Sequence, residues 1–174
     1  IRKWQWINRM NEKINRMWKY DMLTQVLNRS GFFYCAETIL QKIKEEKSNA
    51  FIIFLDIDGL KSVNDNLGHE IGDAFIAKIA GILKEVVPKD CLIMRYGGDE
   101  FVVFGSCKQA GRMQRIAEDI KAAIKTADQK ENRSYHLAAS LGCSLHKSYE
   151  MDNLNSLIEL ADKKMYEEKK NKRR

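Results

Sequence analysis

The sequence is poor in the residues that cross-link small secreted proteins or build metal clusters. Its four cysteines lie far apart along the chain, and no two of them have the spacing of a metal-binding or redox pair. A chain of 174 residues buries enough apolar surface to fold without disulfide bonds. We therefore expect the cysteines to be reduced and the protein to be cytoplasmic.

The sequence also lacks long apolar runs, linkers and the P-loop of many nucleotide-binding proteins. No stretch is apolar for long enough to cross a membrane, no signal peptide is recognisable, and the single proline argues against a linker. No glycine-rich loop precedes a Lys-Ser or Lys-Thr pair, which excludes a P-loop. The three histidines are isolated from one another, which leaves carboxylates as the candidate metal ligands.

Positive charge is concentrated at the two ends of the chain. The formal net charge is +6, but residues 1–21 carry six basic and two acidic side chains, and residues 169–174 carry five basic and none acidic. The part between them has 19 basic and 22 acidic residues. A mildly acidic body does not favour nucleic-acid binding, so we expect no nucleic-acid partner.

Residues 1–19 predict a helix whose apolar residues alternate at spacings of three and four. The seam consists of Trp4, Ile7, Asn11, Ile14 and Trp18. It is the pattern of a coiled coil, in which a polar asparagine sets the register of two paired helices. Because a seam of about three heptads is short, a helix that packs on its own domain explains the pattern equally well.

The rest of the chain alternates helical and strand patterns, which predicts an α/β fold with a mixed sheet flanked by helices. Residues 50–57 form a continuous apolar run, typical of a central strand that is buried on both faces. Further strands are predicted at 91–96, 100–105 and 137–145, and helices at 31–46, 70–87, 113–124 and from 153 onward. No domain boundary is apparent after residue 21.

The heptad RYGGDEF, residues 95–101, places two glycines before two acids and between two predicted strands. One interpretation is a β-hairpin whose acids are solvated turn residues. The other is a bend that only glycine can make, which holds Asp99 and Glu100 against a ligand. The heptad alone does not decide between the two.

A second pair of acids, Asp56 and Asp58, ends the apolar run, where open sheets bind their ligands. A strand-end aspartate commonly caps the next helix, but an acid there is also stabilised by a bound cation. If the hairpin lies beside the central strand, Asp56 and Asp99 meet at one edge. They would then offer the hard oxygen ligands that Mg²⁺ prefers.

The last predicted helix carries a stripe that changes from apolar to cationic. The stripe consists of Ala161, Met165, Lys169 and Arg173, each four residues after the one before. Its two cations either complement the helix dipole in solvent or reach the phosphates of a metal-bound nucleotide.

Five stretches of the chain resemble the GGDEF domain of diguanylate cyclases, in the family's order and spacing. They are DMLTQVLNR at 21–29, DIDGLKSVNDNLGHEIGD at 56–73, RYGGDEF at 95–101, SLG at 140–142 and ADKKMYEEKKNKR at 161–173. The resemblance implies a fold like the palm of nucleotide cyclases and polymerases for residues 21–174. Residues 1–20 precede the resembling stretches, and we predict that they form an N-terminal signalling helix, with the end of a coiled coil as one of the two interpretations of its seam.

The resemblance implies a diguanylate cyclase, which condenses two GTP molecules into cyclic di-GMP and pyrophosphate at the interface of two protomers. Asp56, Asp99 and Glu100 would be the catalytic residues. Mg²⁺, or Mn²⁺ in its place, would be bound by Asp56, Asp99 and the backbone carbonyl of Ile57. The implied substrate contacts are Asn64 and Asp73 to the guanine edge, Lys61, Lys169 and Arg173 to the phosphates, and in addition Gly59, Leu60 and Gly98.

Two other functions stay open at this point. A catalytically silent relative would bind GTP or cyclic di-GMP as a sensor, and a coiled-coil module with a basic tail would bind a membrane or nucleic acid. The intact Asp56, Asp99 and Glu100 favour the active cyclase. For an active cyclase we expect a homodimer and an upstream sensor domain, with a membrane-bound receptor carrying this chain in the cytoplasm as one arrangement.

The chain departs from the family's usual pattern in a few places. Leu60 stands in place of phenylalanine, and Lys172 stands in place of glycine. The family often has an Arg-x-x-Asp site for product inhibition five residues before its double glycine, where this chain has Pro88 and Cys91. We therefore expect this product-binding site to be absent.

Overall fold

The computed structural model describes residues 2–131, 133–147 and 153–172. In chain order the elements are α1 (Arg2–Lys19), α2 (Arg29–Glu45), β1 (Asn49–Ile57), α3 (Leu60–Leu67), α4 (His69–Val86), β2 (Leu92–Arg95), β3 (Glu100–Cys107), α5 (Arg112–Lys130), β4 (Ala139–Lys147) and α6 (Leu154–Lys172). The predicted helices and strands are confirmed, with ends shifted by a few residues. No helix in these ranges is both long and apolar enough to cross a membrane.

Helix α3 is the element that the hydrophobic periodicity did not predict. It has only eight residues and lies between two glycines with left-handed φ values, 79° at Gly59 and 90° at Gly68. A helix of two turns is too short to show a clear period. Its two buried side chains, Leu60 and Val63, are enough to hold it against the domain.

The four strands form one sheet in the order β2-β3-β1-β4. Each neighbouring pair is antiparallel, so the strands themselves do not form the mixed sheet that we expected. Parallel pairing is limited in the described chain to an isolated bridge between Leu27 and Met94. The burial of β1 on both faces, which its continuous apolar run predicted, is confirmed, because helices cover both faces of this antiparallel sheet.

Side chains of β1 alternate between two hydrophobic layers. Phe51, Ile53 and Leu55 pack with residues of α3, α4 and α5, whereas Ile52 and Phe54 pack with residues of α2 and α6. Because the period of a strand is two, Asp56 follows Phe54 on the face that α6 covers. The apolar row of β1 therefore ends in a carboxylate beneath α6.

Helix α6 lies directly on β4. A Cβ atom at Gly142 would overlap the carbonyl oxygen of Ala161 and the amide nitrogen of Met165, so the helix and strand backbones touch there. The hydroxyl of Ser144 donates a hydrogen bond to the Leu157 carbonyl at 3.0 Å. These contacts fix the position of α6 over the sheet, and with it the position of every residue further along the helix.

Helix α1 makes far fewer contacts than α6. Its Trp4 and Ile14 side chains are 68% and 55% exposed, and Ile7 and Trp18 are also exposed. The helix touches α2 near its end, where the Trp18 and Tyr34 rings meet edge to face. Packing on its own domain therefore does not explain these seam residues, and the Asn11 side chain lies outside the described part of the chain.

Candidate functional site

The candidate site is built on one row of residues across three strands. Asp56 on β1 lies directly opposite Glu100 on β3 and directly opposite Ser140 on β4. Two carboxylates that face each other across strands repel, which costs stability unless a cation lies between or beside them. Asp56 is only 8% exposed, so water cannot screen that repulsion effectively.

The acids at this end of the sheet shift one another's protonation. Burial raises the pKa of Asp56, and Asp99 and Asp58 raise it further against the opposing effect of Lys169. Burial also raises the pKa of Glu100, followed by the charges of Asp99, Asp56 and Asp162. Carboxylates that lie close together and are partly shielded from solvent indicate a site that binds cations.

Two lysines of α6 reach these acids. The Lys169 ammonium donates a short hydrogen bond to the Oδ1 atom of Asp56. Lys172 lies 3.1 Å from the Oδ2 atom of Asp58 and donates to the Ala139 carbonyl at 2.6 Å. The stripe predicted on this helix is confirmed as far as Lys169, and Arg173 lies outside the described residues.

The RYGGDEF turn is a hairpin, and it also brings its acids to the site. The Tyr96 amide donates to the Glu100 carbonyl at 2.8 Å, which closes the turn between β2 and β3. The amide of Ile57 donates to the Asp99 carbonyl at 3.0 Å and ties the turn to the end of β1. Asp56 and Asp99 therefore lie at the same edge of the sheet, as predicted, and the hairpin and ligand-binding interpretations are compatible.

One expectation about this turn is wrong. Neither Gly97 nor Gly98 has a positive φ, so the backbone does not require glycine for its conformation. Space is the reason instead. A Cβ atom at Gly97 would overlap a carboxylate oxygen of Glu100, and one at Gly98 would meet nothing within 4 Å. Gly97 thus makes room for Glu100, and Gly98 leaves the surface beside the acids open.

An arginine that we did not single out holds the turn from outside. Arg95 donates to the Gly98 carbonyl at 2.8 Å and to the Asp21 carboxylate at 3.1 Å. Asp21 also accepts hydrogen bonds from the amide and hydroxyl of Thr24. The motif DMLTQVLNR is thereby linked to the acid-bearing turn, which the sequence spacing of 74 residues did not indicate.

The predicted guanine contacts lie close together on two helices. Asn64 is on α3 and Asp73 is in the first turns of α4. A Cβ atom at Gly72 would overlap the Oδ1 atom of Asn64, so the amide of Asn64 lies against α4 immediately beside Asp73. Both side chains reach solvent, and their contact with a base stays a prediction.

Three other predicted substrate contacts, Gly59, Leu60 and Lys61, lie where β1 leads into α3. Gly59 has a left-handed φ of 79° and begins α3, so a side chain there would be strained. Leu60 is buried and packs in the core, whereas Lys61 is exposed. A direct contact of the Leu60 side chain with substrate is therefore less well supported than a role in holding the loop.

The donor set of the site fits a magnesium ion. No group of three or more His, Cys, Asp or Glu side chains in the described ranges converges tightly enough to hold a metal by itself. Mg²⁺ does not need such a group, since it keeps several waters and takes one or two carboxylates beside substrate phosphates. The hard oxygens of Asp56 and Asp99 match that requirement.

Three further residues of the site were missed from the sequence. Asp162 lies on α6 close enough to raise the pKa of Glu100, and the Ser140 hydroxyl donates to Asp58 at 2.9 Å. Lys172 had been noted only as a departure from glycine, yet it contacts Asp58. Its spacing of three from Lys169 was the available signal, because residues three apart share a helix face.

The region around Pro88 and Cys91 lies at the opposite end of the sheet. Cys91 is buried, and burial raises the pKa of its thiol to about 11. The neighbouring Asp90 accepts two hydrogen bonds from Arg112, both at 2.7 Å. An arginine is thus present beside this acid, although it comes from α5 and is already paired. The absence of a product-binding site here stays a prediction.

The family model described as "Diguanylate cyclase, GGDEF domain" matches residues 18–174. Diguanylate cyclase A of Treponema denticola is 29% identical over 167 residues, which cover 94% of this chain and 45% of that protein. Diguanylate cyclase VdcA of Vibrio cholerae is 32% identical over 168 residues, which cover 94% of this chain and 48% of that protein. The chain thus spans about half the length of these curated relatives.

Solved structures confirm the predicted fold. The coiled coil and GGDEF domain of DgcB from Caulobacter crescentus, in complex with cyclic di-GMP, superimposes with a TM-score of 0.84 at 24% identity, covering 97% of this chain and 90% of that one. The GGDEF domain of TpbB, also called YfiN, from Pseudomonas aeruginosa superimposes with a TM-score of 0.77 at 28% identity, covering 87% of this chain and 89% of that one.

Proposed function

Because the chain belongs to the GGDEF family of diguanylate cyclases, we propose that it is an active member, which condenses two GTP molecules into cyclic di-GMP and pyrophosphate. The observation that carries this proposal is the row formed by Glu100 and Asp56, with Asp99 beside it and Lys169 above it. These three acids and this cation lie at one edge of the sheet, which supports their proposed roles in the reaction. Such crowding of charge is typical of a functional site.

The residues of the chain have separate tasks in this reaction. Asn64 and Asp73 would orient guanine, since a carboxylate accepts the two N–H groups that guanine offers and adenine does not. Lys169, with Lys61 and Arg173, would hold the phosphates. The opening beside Gly98 would let the phosphates approach the acids closely.

The acids would bind the metal that the phosphates require. Mg²⁺, or Mn²⁺ in its place, would be held by Asp56, Asp99 and the Ile57 carbonyl, and it would neutralise charge on the phosphate under attack. Glu100 would support Asp56 and Asp99 from the adjacent position. The chain's contribution is then chiefly positioning and electrostatic stabilisation rather than covalent chemistry.

Each protomer would hold one GTP, so the reaction needs two copies facing each other. The exposed seam residues of α1, Trp4, Ile7, Ile14 and Trp18, support pairing of two chains along this helix. An upstream sensor domain would set the spacing of the pair. The relative DgcB, which was solved with its coiled coil, has this arrangement of helix and domain in one chain.

The experiment is to incubate the purified chain with GTP and Mg²⁺ and to identify the products by chromatography and mass spectrometry. We expect cyclic di-GMP and pyrophosphate from GTP and no cyclic product from ATP. Specific activity should rise with protein concentration, because one protomer holds only one of the two substrates. Binding of GTP or cyclic di-GMP without any product, at concentrations where the chain is dimeric, would instead identify a silent sensor.

A further inference from the structure

Lys169 and Asp56 end two apolar rows that face each other. On α6 the row runs through Ala161 and Met165 to Lys169, and on β1 it runs through Phe54 to Asp56. The Lys169 side chain is 20% exposed and the Asp56 side chain 11%, so neither charge has much water around it. In such a place each charge depends on the other, and removing one leaves the other poorly solvated.

The contact creates a conflict within the proposed function. Asp56 is a proposed metal ligand, and the same carboxylate accepts a hydrogen bond from the Lys169 ammonium. A divalent ion and an ammonium at one carboxylate repel each other strongly in a partly buried site. A metal that takes Asp56 as a ligand must therefore push Lys169 away from it.

Lys172 prevents the whole end of α6 from moving away with Lys169. Its ammonium donates to the Ala139 carbonyl at 2.6 Å and contacts the Ser140 hydroxyl at 3.2 Å, in addition to Asp58. These contacts fasten the helix to the start of β4. Rotation of the Lys169 side chain alone would then free Asp56, and the phosphates of a nucleotide in the same site would be new partners for its ammonium.

We propose that Lys169 is an internal counter-ion that competes with the divalent metal for Asp56 and is released to the substrate phosphates. This inference rests on the proposed function and concerns the order of binding. The metal alone binds weakly because Lys169 opposes it, whereas metal and nucleotide bind together because the phosphates take Lys169 over. Lys169 thus has a role toward the metal in addition to its role toward GTP.

The test measures Mn²⁺ binding without any nucleotide, from the electron paramagnetic resonance signal of free Mn²⁺. Lys169→Met keeps the length of the side chain and removes its charge, and we expect it to bind Mn²⁺ roughly tenfold more tightly than the unmodified chain. Lys170→Met is the matched control, because the Lys170 ammonium lies over the Tyr166 ring rather than on an acid. It should change Mn²⁺ affinity by less than about twofold.

Three further variants separate this effect from altered folding. Lys169→Gln should tighten Mn²⁺ binding in the same direction while retaining a polar group beside Asp56. Asp56→Asn should weaken binding, and adding Lys169→Met to it should bring no gain, since the competition acts through Asp56. In thermal melts, Mn²⁺ should raise the melting temperature of Lys169→Met more than that of the unmodified chain.

The outcomes distinguish this inference from the proposed reaction. Equal Mn²⁺ affinity of the unmodified chain and both Lys169 variants, with Asp56→Asn weakened, would overturn the counter-ion role and leave the metal site intact. Tighter Mn²⁺ binding by the Lys169 variants, with no cyclic di-GMP made by the unmodified chain, would support the counter-ion and overturn the proposed reaction.

Discussion

Both ends of the sheet carry acidic and basic residues, but the pKa values of their acids are shifted in opposite directions. At the site end, defined by Asp56, Glu100 and Ser140, acids crowd together and the pKa values of Asp56 and Glu100 are raised, mainly by burial. At the far end, defined by Asp90 and Arg112, the hydrogen bonds from Arg112 hold the pKa of Asp90 below its usual value.

The difference separates charges that hold a fold together from charges that await a ligand. At the far end Arg112 donates to the Asp90 carboxylate and to the Ser106 carbonyl, both at 2.7 Å, and Lys108 pairs with Glu46 at 2.8 Å. At the site end Glu100 faces another carboxylate across the strands. Repulsion among these acids, which Lys169 offsets only in part, indicates a functional site.

The largest expected effect is a loss of activity from substitutions at the site end but not at the far end. Asp99→Ala or Asp56→Ala should lower cyclic di-GMP synthesis by at least about a thousandfold, because each removes a proposed metal ligand. Arg112→Met at the far end should retain most of the activity. Product formation and thermal melts measured on the same samples check this, and near-normal synthesis by either aspartate variant would refute the metal assignment.

A second substitution tests whether the functional site includes the helices that carry Asn64 and Asp73. Asp73→Ser should reduce the preference for GTP over ATP by about 5- to 150-fold, since a hydrogen bond to a charged acceptor contributes about 1–3 kcal/mol. Competition between the two nucleotides for binding measures the preference. Asp65→Ser, an exposed acid on α3, serves as the control, and unchanged selectivity in Asp73→Ser would show that Asp73 does not contact the base.

Repulsion at the site end should also be visible as a cost in stability. In buffer with EDTA at pH 7, Glu100→Gln should raise the free energy of unfolding by about 0.5–2 kcal/mol, because relieving strain at a functional site commonly stabilises a fold by that amount. The pKa of Glu100 is raised, so its cost is absent below the unfolded value of 4.5 and complete above the folded value. The gain should therefore shrink as the pH falls toward 4.5.

Urea denaturation at several pH values measures this difference. Glu118→Gln is the matched control, because Glu118 is an exposed acid on α5. A Glu100→Gln variant that is less stable than the unmodified chain at pH 7 would mean that Glu100 is already satisfied within the domain.

The far end should show the opposite sign and the smallest effect. Asp90→Asn should lower the free energy of unfolding at pH 7 by about 0.5 kcal/mol, since the Asp90 side chain is 62% exposed and its ion pair is screened by water. The pKa of Asp90 is lowered, so its contribution is present above the unfolded value of 3.8 and is lost as the pH falls through the folded value. A variant whose deficit persisted at the lowest pH would show that packing, and not charge, is responsible.

Much of the site could be predicted because short local sequence patterns carry its main residues, and neighbouring strands bring those patterns together. The apolar run that ends in Asp56 and the hairpin that carries Asp99 are local patterns, and one neighbouring pair of strands brings them together. Lys169 could be placed because a spacing of four along a helix continues the buried row of Met165.

The contacts that were missed join residues that are far apart in the sequence. Asp90 and Arg112 are 22 residues apart, and Asp58 and Lys172 are 114 apart. Which cation reaches which acid depends on how far α6 is shifted along the sheet, and no helical or strand period encodes that shift. The short helix α3 escaped for a different reason, since two turns between glycines show no clear period.

Gly142 has a consequence for how this protein can evolve. Its missing side chain lets α6 rest on β4, and any other residue there would lift the helix away from the strand. Lifting α6 would carry Lys169 off the acids, although position 142 itself touches none of them. Selection for chemistry at one end of α6 therefore also acts on a residue of β4, the strand on which the helix packs. Charged residues at the site can be substituted one at a time during evolution, but only while Gly142 is retained.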